Sequence, residues 1–389
     1  MKVLSKNYRK RKAYFYHLID SKELQKELNK EKNIEEKEKR FEKEFAKVIG
    51  VKKSLLFGSG NHALMTSLNS LNIEKKKEVL VQAYTCKQVH EIINKRYKTL
   101  PVDIDETYNI DLKKAKQKIG KDTKILQAIY SYGKAIDSKK LTDFCKDNNL
   151  TLIEDCAHSL GAKNGKKAGS FGEISIFSLR KNVPVGNGGV LCTNNKEIYE
   201  RCMAERNADK RNNAFGKKLL ETKISFWKNF FPDVDFPYIL LSKLGYGGKE
   251  VNKERLDLFE ISLALVSIKM LPKIINQTRK NTELLKEELG EEKFVFTEDG
   301  KKEINVATRV PVYFKKPREN IESIWFRLQE EGWETGLFYT KDFSKNIGKN
   351  YTQFPVSKKV SEYMVPIGVQ GLKKEQVIEL AERIKSFSK

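Results

Sequence analysis

The chain has 389 residues, 39% of them hydrophobic, with 75 lysines and arginines against 52 acids for a net charge of +23. That is apolar material for one large core and a smaller second one; the basic excess is spread along the chain among glutamates, without a stripe of interleaved aromatics, so it reads as solvated helix faces and argues against a nucleic-acid surface. Five cysteines (Cys86, Cys145, Cys156, Cys192, Cys202) with no C-x-x-C pair, and only four histidines, argue against a disulfide framework and a metal site and fit a reducing cytoplasm.

The N-terminus carries Lys6, Arg9, Lys10, Arg11 and Lys12 with no apolar run behind them, which argues against a signal peptide. Residues 22 to 47 are charged with spaced apolar positions and predict one or two surface helices. A series of short apolar segments follows: Ser54–Phe57, Glu78–Val81, Thr99–Val102, Lys124–Tyr130, Leu150–Glu154, Glu173–Ser178 and Gly189–Thr193. Helical patterns separate most of them, at Ala63–Leu71, Gln88–Tyr97, Leu112–Ile119, Lys139–Asp147 and Lys196–Arg206. Alternating strand and helix implies a largely parallel sheet covered on both faces. The last two strands have no helical pattern between them, which leaves room for one to run antiparallel.

Residues 223–247 are rich in aromatics, among them Phe226, Trp227, Phe230, Phe231, Phe236 and Tyr238, but lysines and aspartates interrupt them. The segment is not a bilayer span. It reads as a buried or lid-like insertion, with peripheral membrane contact or cover for a partner subunit as alternatives. From Leu256 the rhythm changes. A long helical pattern over Leu258–Leu289 breaks at Pro272, an extended piece covers Asn305–Tyr313, and helices are expected at Ile321–Glu331 and Lys374–Phe387. The expected domains are therefore residues 1–255 and a smaller α+β unit, 256–389.

Ligands of such sheets sit beyond the carboxyl ends of the strands. Asp155 and Ser178 fall at two such ends, and Gly58-Ser59-Gly60-Asn61-His62 falls between the first strand and its helix. Glycine there permits close backbone approach, and the free amides of the helix start favour a phosphate, although an ordinary turn capped by Asn61 reads equally well. Ser178 adds a hydroxyl. Asp155, among Leu152, Ile153 and Cys156, is a carboxylate that burial makes costly without a partner; a pyridinium nitrogen, a helix cap or a salt bridge would each serve. His158 is a polar neighbour for a ring hydroxyl or a structural histidine. Lys181 follows an apolar strand and precedes Asn182-Val183-Pro184 and a glycine turn, the setting of a desolvated, nucleophilic amine rather than a solvated one. Amine, carboxylate and imidazole are together what an aldehyde cofactor such as pyridoxal 5'-phosphate (PLP) requires.

These motifs in this order resemble the DegT/DnrJ/EryC1/StrS family of sugar aminotransferases, from about Glu42 to the C-terminus. Ser59-Gly60-Asn61-His62-Ala63-Leu64 is similar to its phosphate loop, Ile153-Glu154-Asp155-Cys156-Ala157-His158 to its I-E-D-A-A-[QH] motif, and Tyr132-Gly133, Gly169-Ser170-Phe171-Gly172, Phe177-Ser178 and Gly332–Tyr339 follow in the family's pattern. The resemblance implies an α/β, aspartate-aminotransferase-like fold (PLP fold type I) with a mixed, mostly parallel seven-stranded sheet. It implies Lys181 as the Schiff-base lysine, Asp155 at the pyridine nitrogen, His158 at the ring hydroxyl, and Ser178, Gly60, Asn61 and His62 at the phosphate. It also implies transfer of an amino group, with glutamate the usual donor, to a nucleotide-linked keto sugar, in a homodimer with shared sites. Several features depart from the family. Its spacing from F-S to the lysine is longer than here. Cys86 stands where an aromatic covers the cofactor ring, leaving Tyr84 or Cys86 for that task. The G-Y-N-x-R segment that reaches the partner's phosphate is broken, with Asn252 and Arg255 the nearest candidates. Dehydratases of the family replace the lysine with histidine, so Lys181 favours transfer over a lyase; an inactive member with a binding or regulatory role is the remaining alternative.

Overall fold

The computed structural model describes residues 19–209, 251, 253–296, 300, 303–336, 339, 343, 347 and 351–389. The basic N-terminal stretch, the aromatic segment 223–247 and Asn252 lie outside the described residues.

Two helices open the fold, α1 (Ser21–Lys30) and α2 (Ile34–Ile49), capped by Asp20 and Asn33, whose side-chain oxygens accept the first free amides. Their charges predict surface helices, but α2 is buried along a whole face, Phe41 and Phe45 completely. Lys37, also fully buried, donates from Nζ to the Glu27 carbonyl (2.7 Å) and to Ser262 Oγ (2.9 Å). Arg206 and Arg255 donate to Glu42 and Glu38 of the same helix. Charge spacing on one helix cannot reveal partners on distant elements, and here those partners make burial tolerable.

The large sheet is built from β1 (Lys53–Phe57), β2 (Glu78–Gln82), β3 (Lys98–Val102), β4 (Thr123–Ile129), β5 (Thr151–Asp155), β6 (Ile174–Ser178) and β7 (Gly189–Thr193), in the order β1-β7-β6-β5-β4-β2-β3. The helices between its strands are α3 (Gly60–Ser70), α4 (Lys87–Ile93), α5 (Leu112–Lys118), α6 (Ser138–Asp147) and α7 (Leu179–Asn182), and α8 (Lys196–Asn207) follows. Only β7 is reversed, pairing antiparallel with both β1 and β6. The sequence pattern leaves the β6–β7 connection without a helix; α7 stands there, a single turn too short to show periodicity. Strand side chains alternate between two buried faces. Leu55, Phe57, Ile153 and Leu191 pack with Leu64 and Ile198, while Leu56, Phe177 and Val190 pack with Phe41 and Phe45.

Helices α9 (Leu258–Lys269) and α10 (Leu271–Leu289) meet at Met270, with Pro272 in the first turn of α10, where its missing N–H is no loss. Although α9 lies beyond residue 255, its Ile261 and Leu265 join the core of Phe41 and Phe177. A second core surrounds an antiparallel sheet of β8 (Phe294–Val295), β9 (Val310–Phe314) and β10 (Met364–Ile367), with Leu285 of α10, Ile324 of α11 (Ile321–Glu330) and, beyond α12 (Pro355–Tyr363), Leu380 of α13 (Lys374–Lys385). Tyr84, Tyr108, Tyr132, Tyr339, Phe343 and Phe354 form a separate aromatic cluster drawn from both halves of the chain. No described helix is long and apolar enough to cross a membrane.

Candidate active site

The carboxyl ends of β1, β5 and β6 bring the expected residues to one edge of the sheet. Asp155 closes β5 and pairs in register with Ile176 of β6. Ser178 closes β6, and Lys181 follows on α7. The loop after β1 reaches the same place, since Ser59 bridges Gly188 just before β7 begins. A Cβ on Gly60 would lie 3.2 Å from Ser178 Cβ, so the glycine lets the start of α3 close onto the serine.

Lys181 is partly buried, and its Nζ lies 2.7 Å from His158 Nε2, within hydrogen-bond distance. Burial pushes the ammonium down to about 8, helped by Arg180 and Arg309, while Cys86 and Asp155 act the other way. Asp155 is 3% exposed. Its Oδ1 accepts from the Ala157 amide (3.2 Å) and Oδ2 from Gln127 Nε2 (3.1 Å). Burial pushes the carboxyl up; Lys181, Ala157 and Gln127 hold it back. Two donors leave lone pairs on Asp155 for a further N–H. His158 is buried, with Nδ1 3.1 Å from Thr308 Oγ1 and Nε2 3.1 Å from the Tyr339 hydroxyl. Burial, then Lys181, Arg309 and Arg180, keep the imidazole well below its usual range, and so neutral.

The other expected residues divide. Cys86, at the N-terminal end of α4, is close enough to Lys181 to act on its proton affinity. Tyr84 belongs to the aromatic cluster, its ring edge-on to Tyr339 (5.8 Å). Asn61 donates from Nδ2 to Gln88 Oε1 (2.7 Å). His62 corrects the sequence reading in one respect. Its imidazole is 1% exposed, packs edge-on to Phe57 (4.9 Å) and lies 3.1 Å from Asp209 Oδ2. Burial, then nearby Lys253, brings it down to about 4, so the buried ring is neutral and offers an anion no charge. Arg255 donates to Glu38. Gln127 and Thr308 are additions. A glutamine inside the apolar run of β4 is a legible signal; Thr308 had none in the sequence.

These groups fit PLP. A buried carboxylate retains acceptor capacity, a desolvated amine stands near it, and Gly60, Ser178 and the start of α3 form a cradle that a side chain at position 60 would crowd. Among the described residues no cluster of His, Cys, Asp or Glu is placed to hold a metal. Capture of an aldehyde by Lys181, fixed with borohydride and counted by mass spectrometry, is expected to rise with pH through a midpoint of about 8, because the ammonium must first lose its proton. A midpoint near 10 would show the amine to be an ordinary solvated one.

A sequence profile of the DegT/DnrJ/EryC1/StrS aminotransferase family matches residues 20–385. The chain belongs to this family. GDP-perosamine synthase of Vibrio cholerae is 36% identical to this member over 169 residues, 42% of this chain and 46% of the relative. GDP-4-keto-6-deoxy-D-mannose 3-dehydratase of Yersinia pseudotuberculosis is 27% identical over 263 residues, 62% of this chain and 61% of that one. The matched stretch thus spans less than half of the synthase and under two thirds of the dehydratase. A solved structure, DesI in the presence of its TDP-sugar product, superposes with a TM-score of 0.74 at 16% identity, covering 95% of this chain and 90% of that one. This likeness establishes the aspartate-aminotransferase-like fold expected from the sequence.

Proposed function

We propose that this family member is a PLP-dependent aminotransferase that moves an amino group from glutamate to a nucleotide-linked keto sugar. The observation carrying the reading is the Lys181 amine, 2.7 Å from a neutral His158 and near the buried carboxylate of Asp155. PLP, when bound, supplies an aldehyde and an electron-withdrawing pyridine ring.

Lys181 is the amine that such an aldehyde would meet, and its Nζ, when free, would take the proton from the substrate carbon and return it to the cofactor carbon on the other side of the intervening nitrogen. The nearness of its proton affinity to neutrality suits both directions. Asp155 accepts the ring N–H and keeps that nitrogen protonated, oriented by Gln127 and the Ala157 amide. His158 would be the polar neighbour of the ring hydroxyl, with Nε2 as acceptor. Ser178 and the amide end of α3 hold the phosphate. Retention of lysine at 181 favours transfer over dehydration. A cytoplasmic location, fitting five free thiols, and a homodimer with shared sites belong to the same reading.

The decisive test is an absorbance titration of the PLP-loaded protein. Glutamate is expected to remove the visible band, and a nucleotide-linked keto sugar to restore it while becoming aminated. A band indifferent to glutamate and to other amino acids would rule out transfer.

A further inference from the structure

We propose that Thr308 is a positioning residue for this centre: its hydroxyl oxygen accepts the Nδ1 proton of His158 and so holds the imidazole in the form whose bare Nε2 faces the Lys181 amine. The proposal deepens the reading of Lys181 as the reactive group. It places a residue from the smaller sheet's lead-in, just before β9, in control of a group on the larger one.

The donor logic closes on itself. Below its midpoint of about 8, Lys181 is an ammonium with three donors and no lone pair. At 2.7 Å it must donate, so His158 Nε2 must accept. The Tyr339 hydroxyl lies 3.1 Å from the same nitrogen and competes with Lys181 for its single lone pair. His158 is neutral, so its one ring proton is on Nδ1, and the atom facing Nδ1 at 3.1 Å is Thr308 Oγ1. Thr308 is 4% exposed and His158 3%, so water is not a ready substitute for the hydroxyl. The charged and titratable groups acting on this pair are Lys181, Arg180, Arg309, Asp155, Cys86 and Tyr339. Three of them are cations, and each disfavours a second proton on the imidazole.

Two of the three side chains bonded to the imidazole, Thr308 and Tyr339, come from the C-terminal half. The acceptor offered to Lys181 is therefore completed only when that half is docked. In this form His158 gives no hydrogen bond toward Lys181, and Nε2 is left as an acceptor for a ring hydroxyl.

Ring nitrogen NMR of the cofactor-free protein tests this directly. There are four histidines, and His158 is identified by the signals lost in His158→Gln. At pH 7 the wild type is expected to show a protonated Nδ1 and a bare Nε2. Thr308→Val removes the acceptor, and a buried N–H without a partner is costly; the proton is expected to shift to Nε2, and the midpoint for aldehyde capture by Lys181 to fall by about one pH unit. Thr308→Ser should keep both wild-type values, separating the hydroxyl from packing. A proton on Nε2 in the wild type, or unchanged spectra and midpoint in Thr308→Val, would overturn the proposal. An Nδ1 proton that moves in Thr308→Val supports it even if PLP fails to label Lys181, a result that would count against the reading of the site instead.

Discussion

Lys181→Ala is expected to lose all covalent attachment of PLP and to lower the rate of amino transfer by about 10⁴-fold or more, since the proposed function asks one amine to supply both the covalent bond and the proton shuttle. Borohydride reduction followed by peptide mass spectrometry gives the first readout: the pyridoxyl label should sit on the peptide containing Lys181 in the wild type and be absent in the variant. Because Asp155, Ser178 and the start of α3 are untouched, the variant should still bind PLP reversibly. Label on a different lysine in the wild type would displace Lys181 from its role. The setting explains why this lysine and not one of its many neighbours is the candidate: Arg180 beside it is exposed, whereas Lys181 turns inward on α7 against His158.

Glu154→Ala should be the most damaging change to stability, about 5 kcal/mol, although Glu154 touches no substrate. Its carboxylate is fully buried and accepts four hydrogen bonds, from the Tyr130 hydroxyl (2.7 Å) and the amides of Gly169 (2.8 Å), Phe171 (3.0 Å) and Gly172 (2.6 Å). Truncation leaves four donors without an acceptor. The glycines have their own reason. Gly169 has φ of +84°, and a Cβ there would meet the Phe177 ring at 2.3 Å; a Cβ on Gly172 would meet Glu154 Cγ at 2.9 Å. Urea unfolding of the two proteins, followed by circular dichroism, measures the loss. A difference below about 1 kcal/mol would mean that the loop rehydrates freely. Glu154→Gln, which keeps one acceptor oxygen but brings an amide against N–H groups, should fall between the two.

That loop shows how far the sequence could be read. Ile153-Glu154-Asp155 and Gly169-Ser170-Phe171-Gly172 stand out as motifs, yet nothing in their spacing says that one binds the other. Strand and helix positions are legible because periodicity and turn residues are local properties. Every strand expected for the large sheet is present, and Asp155, Ser178 and Gly60 meet at its edge because strand ends are where a parallel sheet exposes ligands. What escapes are partners separated by long stretches of chain: Gln127 on Asp155, Thr308 on His158, and Ser262 under Lys37. The burial of the His62 side chain escapes for another reason: the motif marks a position on the backbone, while the side chain of the third residue of α3 faces the core beside Phe57.

The reversed strand has a consequence for synthesis. On emergence β1 finds no partner in its vicinity: the strand it pairs with, β7, comes more than a hundred residues later, with five parallel strands made in between. At typical elongation rates the nascent chain holds an open hydrogen-bonding edge for on the order of ten seconds. Helix α2 can shield one face of that edge early, but its own apolar cover, α9, is made later still. Expression at low temperature or with holdase chaperones should therefore favour yield, and fragments ending before Gly189 should aggregate rather than fold.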